Sequence, residues 1–206
     1  MSERTILVTG FEPFTPHKVN PTEELARSVD GLRVGDAVVR GAVLPVHHAD
    51  AAPRVLALLQ ALHPAVVLHL GLAGGRARIA LERMAVNLMD YAVLDNAGCQ
   101  KTDEPCVAAG PAAYFATLPL RAILARLTDA GIPAYLSDTA GTYLCNQTLY
   151  TTLHAVAAVP APPRVGFLHV PLLPSMVAAS GLDEASMDIV VMRRAVEIAL
   201  EVVTGA

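Results

Sequence analysis

Three side chains in the sequence stand where their types and surroundings could support nucleophilic chemistry. The first is a thiol. Ser137-Asp138-Thr139-Ala140-Gly141-Thr142-Tyr143-Leu144-Cys145-Asn146 reads as a polar, glycine-bearing turn, and Gln147 to Val156 continues it with a helical pattern. The turn delivers Cys145 at the start of a helix, where the dipole favours a thiolate and lowers a cysteine pKa from about 8.5 towards neutrality. Unpaired N–H groups at the same helix end could hold an oxyanion. A cysteine packed under a helix terminus with no further role fits the same spacing. The second is His169, which ends a strand in Gly166-Phe167-Leu168-His169-Val170-Pro171-Leu172-Leu173-Pro174 before the chain turns at Pro171. Loops beyond the carboxyl ends of strands are where α/β sheets place their sites. The third is Glu82, inside the apolar stretch Ile79 to Asn87. An ionised carboxylate there needs a partner, Arg83 or a neighbouring histidine, unless it lies on the outer face of an amphipathic element. A thiol, an imidazole and a carboxylate together suit thiol acyl transfer: the imidazole activates sulfur and the carboxylate orients the imidazole.

The remaining chemical signals are weaker. His47-His48-x-Asp50 resembles a set of metal ligands, but adjacent histidines of a strand point to opposite faces, which argues against a shared ion. His69 ends an apolar strand and reads as a buried, hydrogen-bonded core histidine, and His17, His63 and His154 have no suggestive setting. Gly71-Leu72-Ala73-Gly74-Gly75-Arg76 follows a strand but has neither dinucleotide-binding nor P-loop spacing. Cys99, Cys106 and Cys145 form no CxxC pair, so free thiols are expected, with Cys99 and Cys106 as loop residues.

Short β-rich runs alternate with longer helical patterns, the signature of an α/β sheet with helices on its faces. Strands are expected at Thr5 to Thr9, Ala37 to Val46, Ala65 to Leu70, Pro133 to Leu136 and Arg164 to Leu168. Helices are expected at Thr22 to Val29, Ala49 to Leu62, Leu118 to Asp129, Gln147 to Val156 and Ile189 to Val203. Arg78 to Leu94 alternates enough for a strand, and Asp95 to Pro111 reads as a long loop. No internal repeat interrupts the pattern, so residues 1–206 are expected to form a single catalytic domain.

Composition bounds the partners. Apolar residues make up 53 % of the chain and charged residues 17 %, which excludes extended disorder. A mean hydropathy of +0.46 raises the question of a membrane span, yet charges interrupt every apolar stretch before the roughly 20 residues a span requires. The first residues lack the basic start and long apolar region of a signal peptide, so a cytoplasmic location is expected. A net charge of −4 offers no basic patch for nucleic acid.

Four stretches, in order, resemble the pyroglutamyl peptidase I (pyrrolidone carboxyl peptidase) family. They are Val8-Thr9-Gly10-Phe11-Glu12-Pro13-Phe14 with Asn20-Pro21, Gly71 to Arg76 with Glu82-Arg83, Ser137 to Asn146, and Gly166 to Pro174. The resemblance implies a three-layer α/β/α sandwich around an open, twisted, mixed sheet of the phosphorylase/hydrolase-like kind. It implies a cysteine exopeptidase that removes N-terminal pyroglutamate from peptides, with Cys145 as nucleophile, His169 as base and Glu82 orienting His169. It further implies substrate contacts at Phe11, Phe14, Asn20, Val93, Tyr143 and Leu144, no metal or organic cofactor, and a homo-oligomer, often a tetramer. Leu72 stands where family members carry Gln, and Ala92 where many bacterial members carry Arg. Those departures keep open a weakened pyroglutamyl-peptide binding protein, and the shared sheet architecture keeps open a nucleoside phosphorylase-like enzyme.

Overall fold

Uninterrupted aliphatic runs become the middle of the sheet because only strands covered on both faces bury every side chain. The computed structural model describes residues 4–181 and 183–205. The strands β1 (Arg4–Phe11), β4 (Val66–Leu72) and β9 (Arg164–Val170) are buried along almost their whole length and lie side by side. Around them β2 (Arg33–Val34), β3 (Ala37–Leu44), β5 (Ile79–Glu82) and β8 (Ala134–Ser137) complete a seven-stranded sheet of order β2-β3-β1-β4-β9-β5-β8. The pairs β1/β3, β1/β4, β4/β9 and β5/β8 are parallel, while β2/β3 and β5/β9 are antiparallel. This is a mixed α/β fold with a mostly parallel central sheet, as the alternation of patterns predicts, and among the described residues it has six helices, one more than expected.

Alternate residues of the central strands face two separate cores, which makes three layers. Ile6, Val8, Leu68, Leu70 and Leu168 pack with α1 (Pro21–Ser28), α3 (Leu120–Asp129) and α6 (Ile189–Thr204). Leu7, Val67, Val165 and Phe167 pack with α2 (His48–Leu62) and α4 (Leu144–Val156). Local chemistry sets the helix ends: Asn20 accepts from the Thr22 N–H ahead of Pro21, and Asp188 caps α6 through the Val190 N–H.

The alternation from Arg78 to Leu94 is not one strand. It divides into β5, which joins the main sheet, and β6 (Met84–Val86), which pairs with β7 (Ala113–Phe115) in a separate two-stranded sheet. The break falls at Arg83, whose N–H bonds Ser137 O while its carbonyl accepts from Ala116 N–H. β2, β7 and α5 (Pro174–Ser180) are additions to the expected elements. The His47-His48 pair is not on a strand: His47 precedes α2 and His48 opens it.

His69 is fully buried and satisfied, as expected. Thr152 donates to Thr148 O, so it accepts from His69 Nε2–H, and Thr9 donates to Nδ1 at 2.7 Å. Burial lowers its pKa from 6.5 to about 3. The unfolded chain therefore takes up a proton below pH 6.5 that the folded chain refuses, and stability falls with pH from about 6.5 to about 3. Urea unfolding at pH 7 and pH 4.5 is expected to show that fall. In His69→Gln the slope below pH 6.5 should be shallower, by up to about 1.4 kcal/mol per pH unit.

Candidate active site

Strand register brings the three proposed groups together. In the antiparallel pairing of β5 with β9, Glu82 lies opposite Phe167, so Glu82 and His169 are diagonal neighbours on one face. His169 Nδ1 lies 2.7 Å from Glu82 Oε1, and both side chains are nearly devoid of exposure. On the other side of β9, His169 is the register partner of Gly71 on β4. A Cβ added at Gly71 would come within 2.9 Å of Cys145 Sγ and 2.7 Å of the Phe167 ring. The sulfur therefore rests directly over Gly71, the register partner of His169, and only the absence of a side chain at residue 71 lets it do so. Gly71→Ala should push the sulfur and the ring apart from the strand. We expect kcat/KM to fall on the order of 100-fold, read with a pyroglutamyl amide beside a melting curve that shows the fold retained.

Glu82 has a partner that its sequence neighbourhood does not announce. Arg76 Nη1 lies 2.9 Å from the same Oε1 that meets His169; of the two expected partners a histidine is therefore present, whereas Arg83 pairs with exposed Asp138. The signal available in the sequence is a basic residue at the far end of the turn leading into β5. Burial pushes the Glu82 carboxyl up, but the hydrogen bond and charge of His169, with help from Arg76, more than offset it, and the net shift is downward. Glu82 is thus a carboxylate at neutral pH. Its Oε2 has no hydrogen-bond partner among the described residues. Its register partner is Ser137, whose hydroxyl donates to Thr139 O at 3.1 Å.

Cys145 is the second residue of α4, after Tyr143 at the N-cap and Leu144. The expected drop in its pKa does not occur. Burial pushes the thiol up to about 12, the Glu82 charge adds to the rise, and Arg76 offsets part of it. A helix end supplies roughly half a charge at best, which loses to removal of a full thiolate from water. The resting sulfur is a neutral thiol. No side chain caps α4, which leaves its first N–H groups available to an acceptor.

The sulfur opens into a small cleft lined by Phe11, Phe14, Asn20, Val46, Leu72, Tyr143, Leu144 and Cys145. Five of the six expected substrate contacts meet there. The exception is Val93, 46 % exposed and outside the lining. Asn20 contributes to the wall, but its amide is engaged with Thr22 and Glu12 O. Tyr143 is held edge-on by Tyr91, with ring centroids 4.7 Å apart, and its hydroxyl donates to Leu94 O. Phe14 lies 6.3 Å from Tyr143, so aromatic rings flank the opening. Val46 and Leu72 complete an almost wholly apolar lining. A larger, apolar groove between the carboxyl ends of α2 and α4 includes Leu59, His63, Val156 and Val159, but none of these groups.

Residues 4–205 match the family model described as pyroglutamyl peptidase. The chain is 44 % identical over 200 residues to the pyrrolidone-carboxylate peptidase of Pyrococcus furiosus, covering 96 % of each protein. It is 46 % identical over 199 residues to that of Cupriavidus pinatubonensis, covering 96 % of this chain and 91 % of the relative. A crystal structure of pyrrolidone carboxyl peptidase from the hyperthermophile P. furiosus superposes with a TM-score of 0.95 at 43 % identity, covering 98 % of both chains. With similarity running from the first described strand to the last helix, the chain belongs to the pyroglutamyl peptidase family.

Proposed function

We propose that the protein is a cysteine-type exopeptidase, a single catalytic domain that hydrolyses the bond after an N-terminal pyroglutamate. The observation that carries this reading is the sulfur of Cys145 seated over Gly71, the register partner of His169 in the Glu82–His169 pair, at the floor of a small aromatic-sided cleft. Glu82 accepts from His169 Nδ1–H, which leaves Nε2 as the basic nitrogen. Because the resting thiol is neutral, His169 removes its proton as sulfur attacks the pyroglutamyl carbonyl, and no standing thiolate is needed. Backbone N–H groups at the start of α4 receive the developing oxyanion, each good donor contributing about 3 kcal/mol. His169 then protonates the leaving amine, and water, deprotonated by His169, releases pyroglutamate from the thioester.

Substrate choice follows from the lining. Pyroglutamate has no ammonium group, so an apolar slot accepts it, whereas an N-terminal Glu would have to bury its charges unpaired. The side chain of Leu72 offers the lactam no hydrogen bond and contributes shape alone. The chemistry requires no metal or organic cofactor. Family resemblance supports a homo-oligomer, which light scattering would test, and a cytoplasmic location, which cell fractionation would test. Among the described residues, no helix is long and apolar enough to cross a membrane.

Coumarin amides of pyroglutamate, proline and glutamate test the reading. We expect turnover of the first alone. Binding of pyroglutamate without any turnover would favour a pyroglutamyl-peptide binding protein, and phosphate-dependent cleavage of a nucleoside would favour a phosphorylase.

A further inference from the structure

The start of α2 gathers ligating side chains that the peptidase chemistry does not use. One donor atom from each of His47, His48 and Asp95 lies within 4.8 Å of the other two. Cys99 Sγ is 3.9 Å from His48 Nε2. These residues come from two segments pinned together by backbone bonds. Asn96 N–H donates to Val46 O at 2.9 Å, and Asp95 accepts from the N–H groups of His48, Ala97 and Cys99. The donors are therefore held near one another before anything binds.

Asp50 meets His47 Nδ1, which leaves the other nitrogen of that ring for a metal, while Asp95 lies 2.9 Å from His48 Nδ1 and faces it as a second donor. A hydrogen-bonded carboxylate such as Asp50 fixes the tautomer and raises the basicity of a metal-binding histidine. The positive end of α2, about half a charge, would oppose a cation. Two full carboxylates, Asp50 and Asp95, outweigh it, and the charge of Glu12 also reaches His47.

We propose that His47, His48 and Asp95 form a binding site for one divalent cation of the Zn²⁺ class, the ion entering between His48 Nδ1 and the Asp95 carboxylate. Two imidazoles against one carboxylate suit a borderline metal and not Ca²⁺ or Mg²⁺, which prefer oxygen. Ligand atoms on one tetrahedral Zn²⁺ stand about 3.3–3.7 Å apart, so the three donors close on the ion by side-chain movements of about an ångström. The histidines bind in their neutral form, and water completes the coordination. The ion would sit behind the wall of the cleft: Val46 lines the cleft, and Gln147 on α4 donates to His48 O at 2.9 Å.

Titration of the metal-free Cys145→Ser protein with Co²⁺ tests this, because the thiol of the cleft is then absent. We expect one equivalent bound, the visible spectrum of a four-coordinate site, displacement by Zn²⁺ and a higher melting temperature when loaded. His48→Ala should weaken binding at least about tenfold with its metal-free melting temperature little changed, and His47→Ala should weaken it as well. Cys99→Ser should leave binding unchanged, since Cys99 faces the other ring nitrogen of His48. No binding below millimolar Co²⁺, or binding unchanged in both His47→Ala and His48→Ala, would overturn the proposal.

Discussion

Cys145→Ala is expected to lower kcat/KM for a pyroglutamyl coumarin amide by roughly 10⁴-fold or more, with the fold retained. No other sulfur can take its place. Cys106 Sγ is engaged with Val86 O and its thiol is pushed up to about 11, chiefly by burial, while Cys99 lies beside His48 at the start of α2. Cys145 alone lies over Gly71 in the cleft. Cys145→Ser is the stricter form of the test. It preserves shape and a proton for His169, yet a hydroxyl is far less acidic and less nucleophilic than a thiol, so we expect a comparable loss. Undiminished turnover in either variant would remove Cys145 from the mechanism.

Glu82→Gln is expected to reduce kcat by 10²- to 10⁴-fold or so, with a smaller change in KM. Two effects oppose each other here. The Glu82 charge raises the Cys145 thiol pKa, so neutralising it favours the thiolate. Against that, an amide can present N–H to His169 Nδ1, which favours the wrong tautomer, and it cannot stabilise the imidazolium that forms during attack. The second effect dominates because it acts on the proton transfer itself, whereas the first is one of several contributions to a thiol governed by burial. The fold should persist, since Gln keeps the shape of Glu. A near-normal kcat would exclude Glu82 from a role in orienting His169.

Much of this arrangement is legible in the sequence because its signals are local. A polar turn before Cys145, a strand ending on His169, and the aliphatic runs of β1, β4 and β9 can each be read within ten residues. Glu82 is different. Its apolar surroundings ask for a partner, but which residue answers depends on β9 entering the sheet between β4 and β5, a non-local pairing. That insertion aligns Glu82 with His169 and leaves Arg76, across a turn, closer to the carboxylate than sequence-adjacent Arg83. β2, β7 and α5 escape a sequence reading because two, three and seven residues are too few to establish a period. The Cys145 pKa departs from expectation for a related reason. A helix start is visible in sequence, but the burial that overrides its dipole arises from residues packed around the sulfur in three dimensions.

The central claim is that turnover runs through the sulfur of Cys145. Alkylation with a pyroglutamyl chloromethyl ketone, quantified by peptide mass spectrometry alongside residual hydrolysis of the coumarin amide, tests it most directly. Activity is expected to fall in proportion to the fraction of Cys145 alkylated and to reach zero at full labelling, with Cys99 and Cys106 unmodified. Substantial hydrolysis remaining when Cys145 is fully alkylated would contradict it.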